Sequence, residues 1–174
     1  SESFMQIKSL ILIATFSLLA LGGCVTTEES LFKGSNVTVE KQVEARVQIA
    51  INYLQKGKPE TAIVHLKDAL ELDPKSARVH EVMALSMEKT GELDKAEDHF
   101  RLMLKYKPEY TRGRSNYGSF LMRQEDYDEA YDQFKVVIDD IYFPNRAIAF
   151  RQLGFCALQL GKTDEVEPAY QRAV

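Results

Sequence analysis

The chain has 174 residues, 45% of them hydrophobic and 28% charged, which suits one helical globular body with a real core and excludes a disordered chain. A formal net charge of −4 argues against nucleic acid as a partner. The two cysteines, Cys24 and Cys156, stand in such different contexts that no pairing is read from them.

Ser1 to Phe4 precede the first methionine, Met5. Lys8 then leads into a twelve-residue apolar run, Leu10 to Leu21 (LILIATFSLLAL). A bilayer span needs about 20 residues. The run is too short for that and suits the apolar region of a secretory signal peptide. Leu21-Gly22-Gly23-Cys24 resembles a bacterial lipobox. The alternatives are a plain signal peptide with an incidental cysteine, or a buried helix. The lipobox resemblance implies cleavage before Cys24, with acyl chains on its thiol and its new amino group. Several acyl chains on one residue anchor stably where one would be marginal. Lipoproteins of that kind held in the inner membrane often carry Asp after the cysteine. Val25 stands there, which implies the outer membrane. Removal of residues 1–23 takes away Glu2 and Lys8 and leaves the charge at −4, so the expected anchor is lipid rather than a basic surface.

Val25 to Val39 (VTTEESLFKGSNVTV) has no helical apolar period and reads as a tether, with Leu31 and Phe32 as its apolar exceptions. Thr38 is placed to cap the first helix, and Glu40 suits its first turn. The expected organisation is a signal peptide at 1–23 with residues 1–4 as an upstream extension, a lipidated cysteine and tether at 24–39, and a helical domain at 40–174.

From Val43 the chain repeats itself. Ala50, Tyr53, Gly57, Ala62, Leu66, Ala69 and Pro74 recur 34 positions later as Ala84, Met87, Gly91, Ala96, Phe100, Met103 and Pro108. Ala50 and Ala62 are small residues that let two helices pack closely. Gly57 permits the tight turn between them. Pro74 cannot continue a helix and marks the break before the next pair. One such hairpin cannot bury its apolar face alone, so a stack is required. This 34-residue period resembles the tetratricopeptide repeat. The predicted fold is all-α, a right-handed superhelix of antiparallel helix pairs with about four repeats visible. The pairs are Val43–Lys56 with Pro59–Leu72, Ala77–Thr90 with Leu93–Tyr106, and Thr111–Gln124 with Tyr127–Asp140. In the third, Glu125 replaces the turn glycine, and Asp126 with Glu129 suits a capping box. The register then slips by two residues at Pro144 and resumes through Phe150, Leu153, Gly154, Ala157, Gly161, Val166 and Tyr170. Pro168 is expected to distort the last helix. The array shows no polar capping helix before Val174, so the domain is expected to be truncated there.

Further motifs narrow the resemblance. Asn116-Tyr117-Gly118-Ser119-Phe120-Leu121, Tyr127-Asp128-Glu129-Ala130-Tyr131 and Leu153-Gly154-Phe155-Cys156, together with the lipobox, resemble the type IV pilus biogenesis and stability lipoproteins of the PilF/PilW family, the pilotins. Tyr142-Phe143-Pro144-Asn145-Arg146 resembles that family's YPxR loop with Phe143 inserted. The resemblance implies a lipid-anchored protein on the periplasmic face of the outer membrane. It would bind secretin subunits and promote their localisation and multimerisation there. The alternative is a general outer-membrane repeat lipoprotein that recruits cell-wall or envelope proteins.

The expected partner-binding groove lies on the first helix of each pair. Val47, Ile51 and Leu54 supply it from the first, and Leu85, beside Arg78 and Glu81, from the second. Ser119 and Met122 follow with Ser115, then Phe155 and Leu158 with Ile148 and Arg151. An apolar groove of this kind suits an amphipathic helix or strand from a partner. The competing reading is that these residues simply pack core.

No catalytic, cofactor-binding or metal-binding residues are expected, and no cofactor or small-molecule substrate. His65 and His99 share a repeat position, which accounts for them, and His80 has no ligand partner at a metal-site spacing. Cys156 falls where a small buried residue belongs. Glu28-Glu29 and Asp139-Asp140 read as solvated charge.

Overall fold

Four of the eight helices begin where a side chain or a proline satisfies or removes an orphan N–H group. The structure, a computed structural model, describes residues 38–173, so the signal peptide, the lipobox with Cys24 and the tether to Val37 lie outside the described residues. Thr38 accepts from the N–H of Lys41 at 3.4 Å and opens α1 (Val39–Gln55), four residues before the repeat register begins at Val43. Pro59 stands at the start of α2 (Pro59–Leu72). Ser76 accepts from Val79 N–H at 3.4 Å and opens α3 (Ala77–Thr90), which α4 (Leu93–Tyr106) follows. Then come α5 (Thr111–Arg123), α6 (Tyr127–Asp139), α7 (Arg146–Gln159) and α8 (Thr163–Gln171). All eight are helices, in four antiparallel pairs, and no strand occurs among the described residues.

The turns inside the pairs share one backbone device. Gly57, Gly91 and Gly161 take φ of 69°, 81° and 69°, and Glu125 takes φ 62° at the matching place in the third pair. That left-handed conformation costs an L side chain about 1–2 kcal/mol and glycine nothing.

One local expectation is corrected. Asp126 does cap α6, accepting from Glu129 N–H at 3.2 Å. The Glu129 carboxylate does not close a capping box. It accepts instead from the buried Tyr117 phenol at 2.8 Å and from Arg101 at 3.0 Å. A buried hydroxyl without a partner costs more than an exposed cap contributes, so the phenol claims the carboxylate. Pro168 sits inside α8, the shortest of the described helices at nine residues.

The core follows the repeat. Ala50, Ala62, Ala84, Ala96 and Ala130 are fully buried, as are Leu66, Phe100 and Phe134 at the large position. Burial of each large side chain contributes roughly 1.5–3 kcal/mol. Phe100, Tyr117 and Phe120 form a ring cluster with centroids 5.2 to 6.3 Å apart, joining the second pair to the third.

Packing between pairs sets the curvature. The first helices touch in succession, α1 on α3, α3 on α5 and α5 on α7. The second helices α2, α4, α6 and α8 make no close backbone approach to one another among the described residues and meet through long side chains, Arg101 with Glu129 and Tyr131 with Glu165. The first helices therefore form the inner, concave ridge, and the second helices splay on the outside.

Candidate partner-binding face

The inner ridge holds the groove residues expected from the register, but not all are accessible. Val47 is fully buried and belongs to the core rather than to any surface, which corrects its place in the groove. The same register position shows why. Glu81 is also buried, Ser115 is half-buried, and Arg151, beyond which no further pair is described, is exposed. The next pair covers this position, so only the positions further along each helix stay open. Ile51, Leu54, Leu85 and Met122 are half-buried against the core. Ser119 is half-buried too, its hydroxyl turned to the Ser115 carbonyl at 3.0 Å. Phe155 and Leu158 are exposed, at 37% and 51%. Phe155 also meets Tyr127 edge-on, centroids 5.9 Å apart. The structure thus brings together an apolar first pair, a mixed middle and an apolar fourth pair.

The middle is built on a buried carboxylate. Glu81 on α3 is 1% exposed, and four donors converge on it. Its Oε2 accepts from Arg78 at 2.7 Å, from the Tyr110 phenol at 2.5 Å and from Arg112 at 3.3 Å. Its Oε1 accepts from Asn116 at 2.7 Å. Burial first, and then the neighbouring carboxylate, hold the Tyr110 phenol above its ordinary pKa. A buried charge is tolerable only when paired and hydrogen-bonded, and this one is. The sequence placed Glu81 in the groove; it gave no sign that Tyr110 and Asn116 would converge on it across the joint between pairs. Further along, Arg123 grips Glu88 through Nε at 2.5 Å and Nη2 at 2.9 Å, and Gln152 donates to Ser119 at 2.9 Å.

Two other clusters lie away from this face. His80 and His99 meet through their Nδ1 atoms at 2.8 Å, a contact the repeat register does not reveal because only His65 and His99 are equivalent in it. His65 instead stacks on Tyr53, centroids 5.3 Å apart. Cys156 is fully buried, and burial pushes its thiol up to about 11. Among the described residues, no group of three or more His, Cys, Asp or Glu is placed to hold a metal ion.

Comparison with known proteins agrees with this architecture. Residues 53–115 match the tetratricopeptide repeat family. Over 159 residues the chain is 32% identical to the type IV pilus assembly protein PilF of Pseudomonas aeruginosa, a span that covers 90% of this chain and 63% of that protein. The solved structure of Pseudomonas aeruginosa PilF matches with a TM-score of 0.74 at 32% identity, over 78% of this chain and 61% of that one. The crystal structure of PilW, a widely conserved type IV pilus biogenesis factor, matches with a TM-score of 0.69 at 28% identity, over 75% of this chain and 60% of that one. The chain thus spans under two thirds of the length of each of these relatives. The repeated helix pairs, their inner ridge and these matches give the chain a tetratricopeptide-repeat fold similar to that of the type IV pilus factors PilF and PilW.

Proposed function

We propose that this chain is a pilotin, a lipoprotein anchored through Cys24 to the periplasmic face of the outer membrane. In this reading it binds secretin subunits and promotes their localisation and multimerisation for type IV pilus biogenesis. The observation that carries the reading is the 32% identity to a type IV pilus assembly protein along 90% of the chain. The lipobox resemblance supports the anchor. The role asks for protein binding and no chemistry, and the open apolar positions on the inner ridge suit it. A lipid anchor also suits the task, because confinement to the target membrane raises the effective concentration of the bound partner.

The test is made in cells. The gene is deleted, membranes are fractionated, and heat-resistant secretin multimers are measured in the outer membrane. The expected result is their loss, with recovery from the wild-type chain and none from Cys24→Ala. Normal multimers in the deletion strain would overturn the reading and favour an adaptor for other envelope proteins.

A further inference from the structure

The connections between helix pairs are not alike. The first two are four residues long, 73–76 and 107–110, and the third has six, 140–145. The exposed residues of the first two are Pro74 and Lys75, then Lys107, Pro108 and Glu109. The third exposes Ile141 at 66% and Tyr142 at 86%, the two highest values for large hydrophobic side chains among the described residues. Beside them stands exposed Asp139, and neither its carboxylate nor the Tyr142 phenol has a partner among the described residues. These connections lie at the N-terminal ends of the inner helices. The tip is therefore at the edge of the ridge, away from Ile51, Leu85 and Phe155 further along the helices.

The tip is open, but its base is fixed. Asp140 accepts the Tyr142 N–H on Oδ1 at 3.0 Å and the Thr111 hydroxyl of α5 on Oδ2 at 2.6 Å. Phe143 returns its N–H to the Asp140 carbonyl at 3.1 Å and packs its ring on the core. Arg146 donates from Nε to the Ile138 carbonyl at 2.6 Å, and its guanidinium lies over Phe150, 5.1 Å from the ring centroid. The loop's own cation is thereby turned inward, and the charge left open beside the tip is Asp139. The fold does not require Ile141 and Tyr142 in water, because shorter polar connections serve at the two other joints. A fixed backbone that presents an aromatic side chain loses little freedom on binding, and tyrosine is enriched among the side chains that dominate protein interfaces. A contact with anionic lipid pairs its aromatic residues with Lys and Arg. Here an acid stands in that place, which favours a protein with a basic side chain to meet it.

We propose that Ile141 and Tyr142 form an anchor that enters an apolar pocket on a folded partner protein, with a basic side chain at the pocket rim facing Asp139. This rests on the pilotin reading above, in which the partner is the secretin subunit. It adds to the groove a second contact at the edge of the array.

The chain contains no tryptophan, so Tyr142→Trp puts a single reporter on the tip. The full chain, purified in detergent, is mixed with purified secretin subunits from the same cells, and a mixture with the wild-type chain serves as the blank. Secretin is expected to shift the reporter's emission to the blue and to shield it from acrylamide. Binding of the fluorescently labelled chain to the subunits, followed by anisotropy, is expected to weaken about tenfold or more when Ile141→Ser and Tyr142→Ser are combined. Val64→Ser, at an open position on α2, is expected to leave binding unchanged. Asp139→Lys is expected to weaken binding and to reduce its dependence on salt. Neither tip side chain packs on the core, so the double variant is expected to melt as the wild type does; if it does not, the reporter still decides. A reporter that stays in water while secretin is bound, or wild-type affinity in the folded double variant or in Asp139→Lys, would overturn the proposal and leave the pilotin reading standing. A blue shift on transfer into vesicles of phosphatidylethanolamine and phosphatidylglycerol, without secretin, would make the tip a membrane contact and overturn it too. Failure of the wild-type chain to bind secretin removes the pilotin reading and this proposal together.

Discussion

The Nδ1 atoms of His80 and His99 lie 2.8 Å apart, so one ring must donate to the other. The Nε2 of His80 stands 3.1 Å from the Pro74 carbonyl, which can only accept. That nitrogen therefore carries the hydrogen of a neutral His80, whose Nδ1 accepts from His99. Burial pushes both pKa values down, and the His80 ring pushes His99 further, to about 4, against the opposing pull of Asp73 on His80 and Asp98 on His99. The unfolded chain binds these protons near the ordinary value of 6.5, so the contribution is full above that pH and is lost as pH falls from there toward about 4. After allowance for the partial exposure of His99, the loss is about 1–2 kcal/mol. The melting temperature is expected to fall by several degrees from pH 7 to pH 5, and by clearly less in His99→Gln. Parallel pH profiles for the two proteins would refute the pairing.

Gly118 on α5 faces the Phe134 ring on α6, and a Cβ built there would meet Cζ at 2.8 Å. The ring is fully buried and has nowhere to withdraw. Gly118→Ala is expected to destabilise the domain by about 1–3 kcal/mol in urea unfolding. Adding Phe134→Leu should recover part of that loss, because the smaller side chain removes the collision. A double variant as unstable as the sum of its parts would mean the strain arises elsewhere.

Among the described residues, Glu125 is the non-glycine residue held in the left-handed region, with φ 62°. Its three counterparts are glycines, and no packing role offsets the cost for this exposed side chain. Glu125→Gly is expected to raise stability by about 0.5–1 kcal/mol, the relief of strain exceeding the added freedom of the unfolded chain. Gly91→Ala should do the opposite by about 1 kcal/mol. Matching shifts of the urea midpoint, with unchanged slope, would show both.

Cys156 is fully buried on α7 with its thiol pushed up to about 11. The reactive form of a thiol is the thiolate, so both access and protonation protect it. Alkylation mapped to Cys156 by mass spectrometry is expected to be negligible at pH 8 in the native protein and complete in denaturant. Rapid native labelling would mean that α7 opens readily.

The array itself was legible because its chemistry repeats. Small residues such as Ala62 and Ala96, and large ones such as Leu66 and Phe100, recur at fixed spacing wherever two helices must approach. The face that binds was less legible. A period places a side chain on one side of its own helix, but whether that side stays open depends on how closely the next pair leans over it. Val47 and Glu81 share a register position with exposed Arg151 and are buried for this reason. The contacts of Tyr110 with Glu81 and of His80 with His99 join different helices, and neither is written in one repeat. In the sequence Glu129 looks like a local cap, because its non-local partners, Tyr117 and Arg101, lie 12 and 28 residues away.

Each first helix of the array touches only its immediate neighbours, so α7 rests on α5, α6 and α8 and on nothing earlier. A change of length in the connection after α6 therefore leaves both sides internally whole. It turns the last pair as a block about a single joint. The two-residue slip at Pro144 is one setting of that joint, in a loop where Tyr142 is 86% exposed and free to be lengthened or shortened. Insertion or deletion there re-aims Phe155 and Leu158 relative to the earlier helices and changes the contacts at that joint, Phe155 with Tyr127 and Gln152 with Ser119. Such a chain can alter the span of its groove by the length of one loop, and the shape of what it holds can change faster than the residues that hold it.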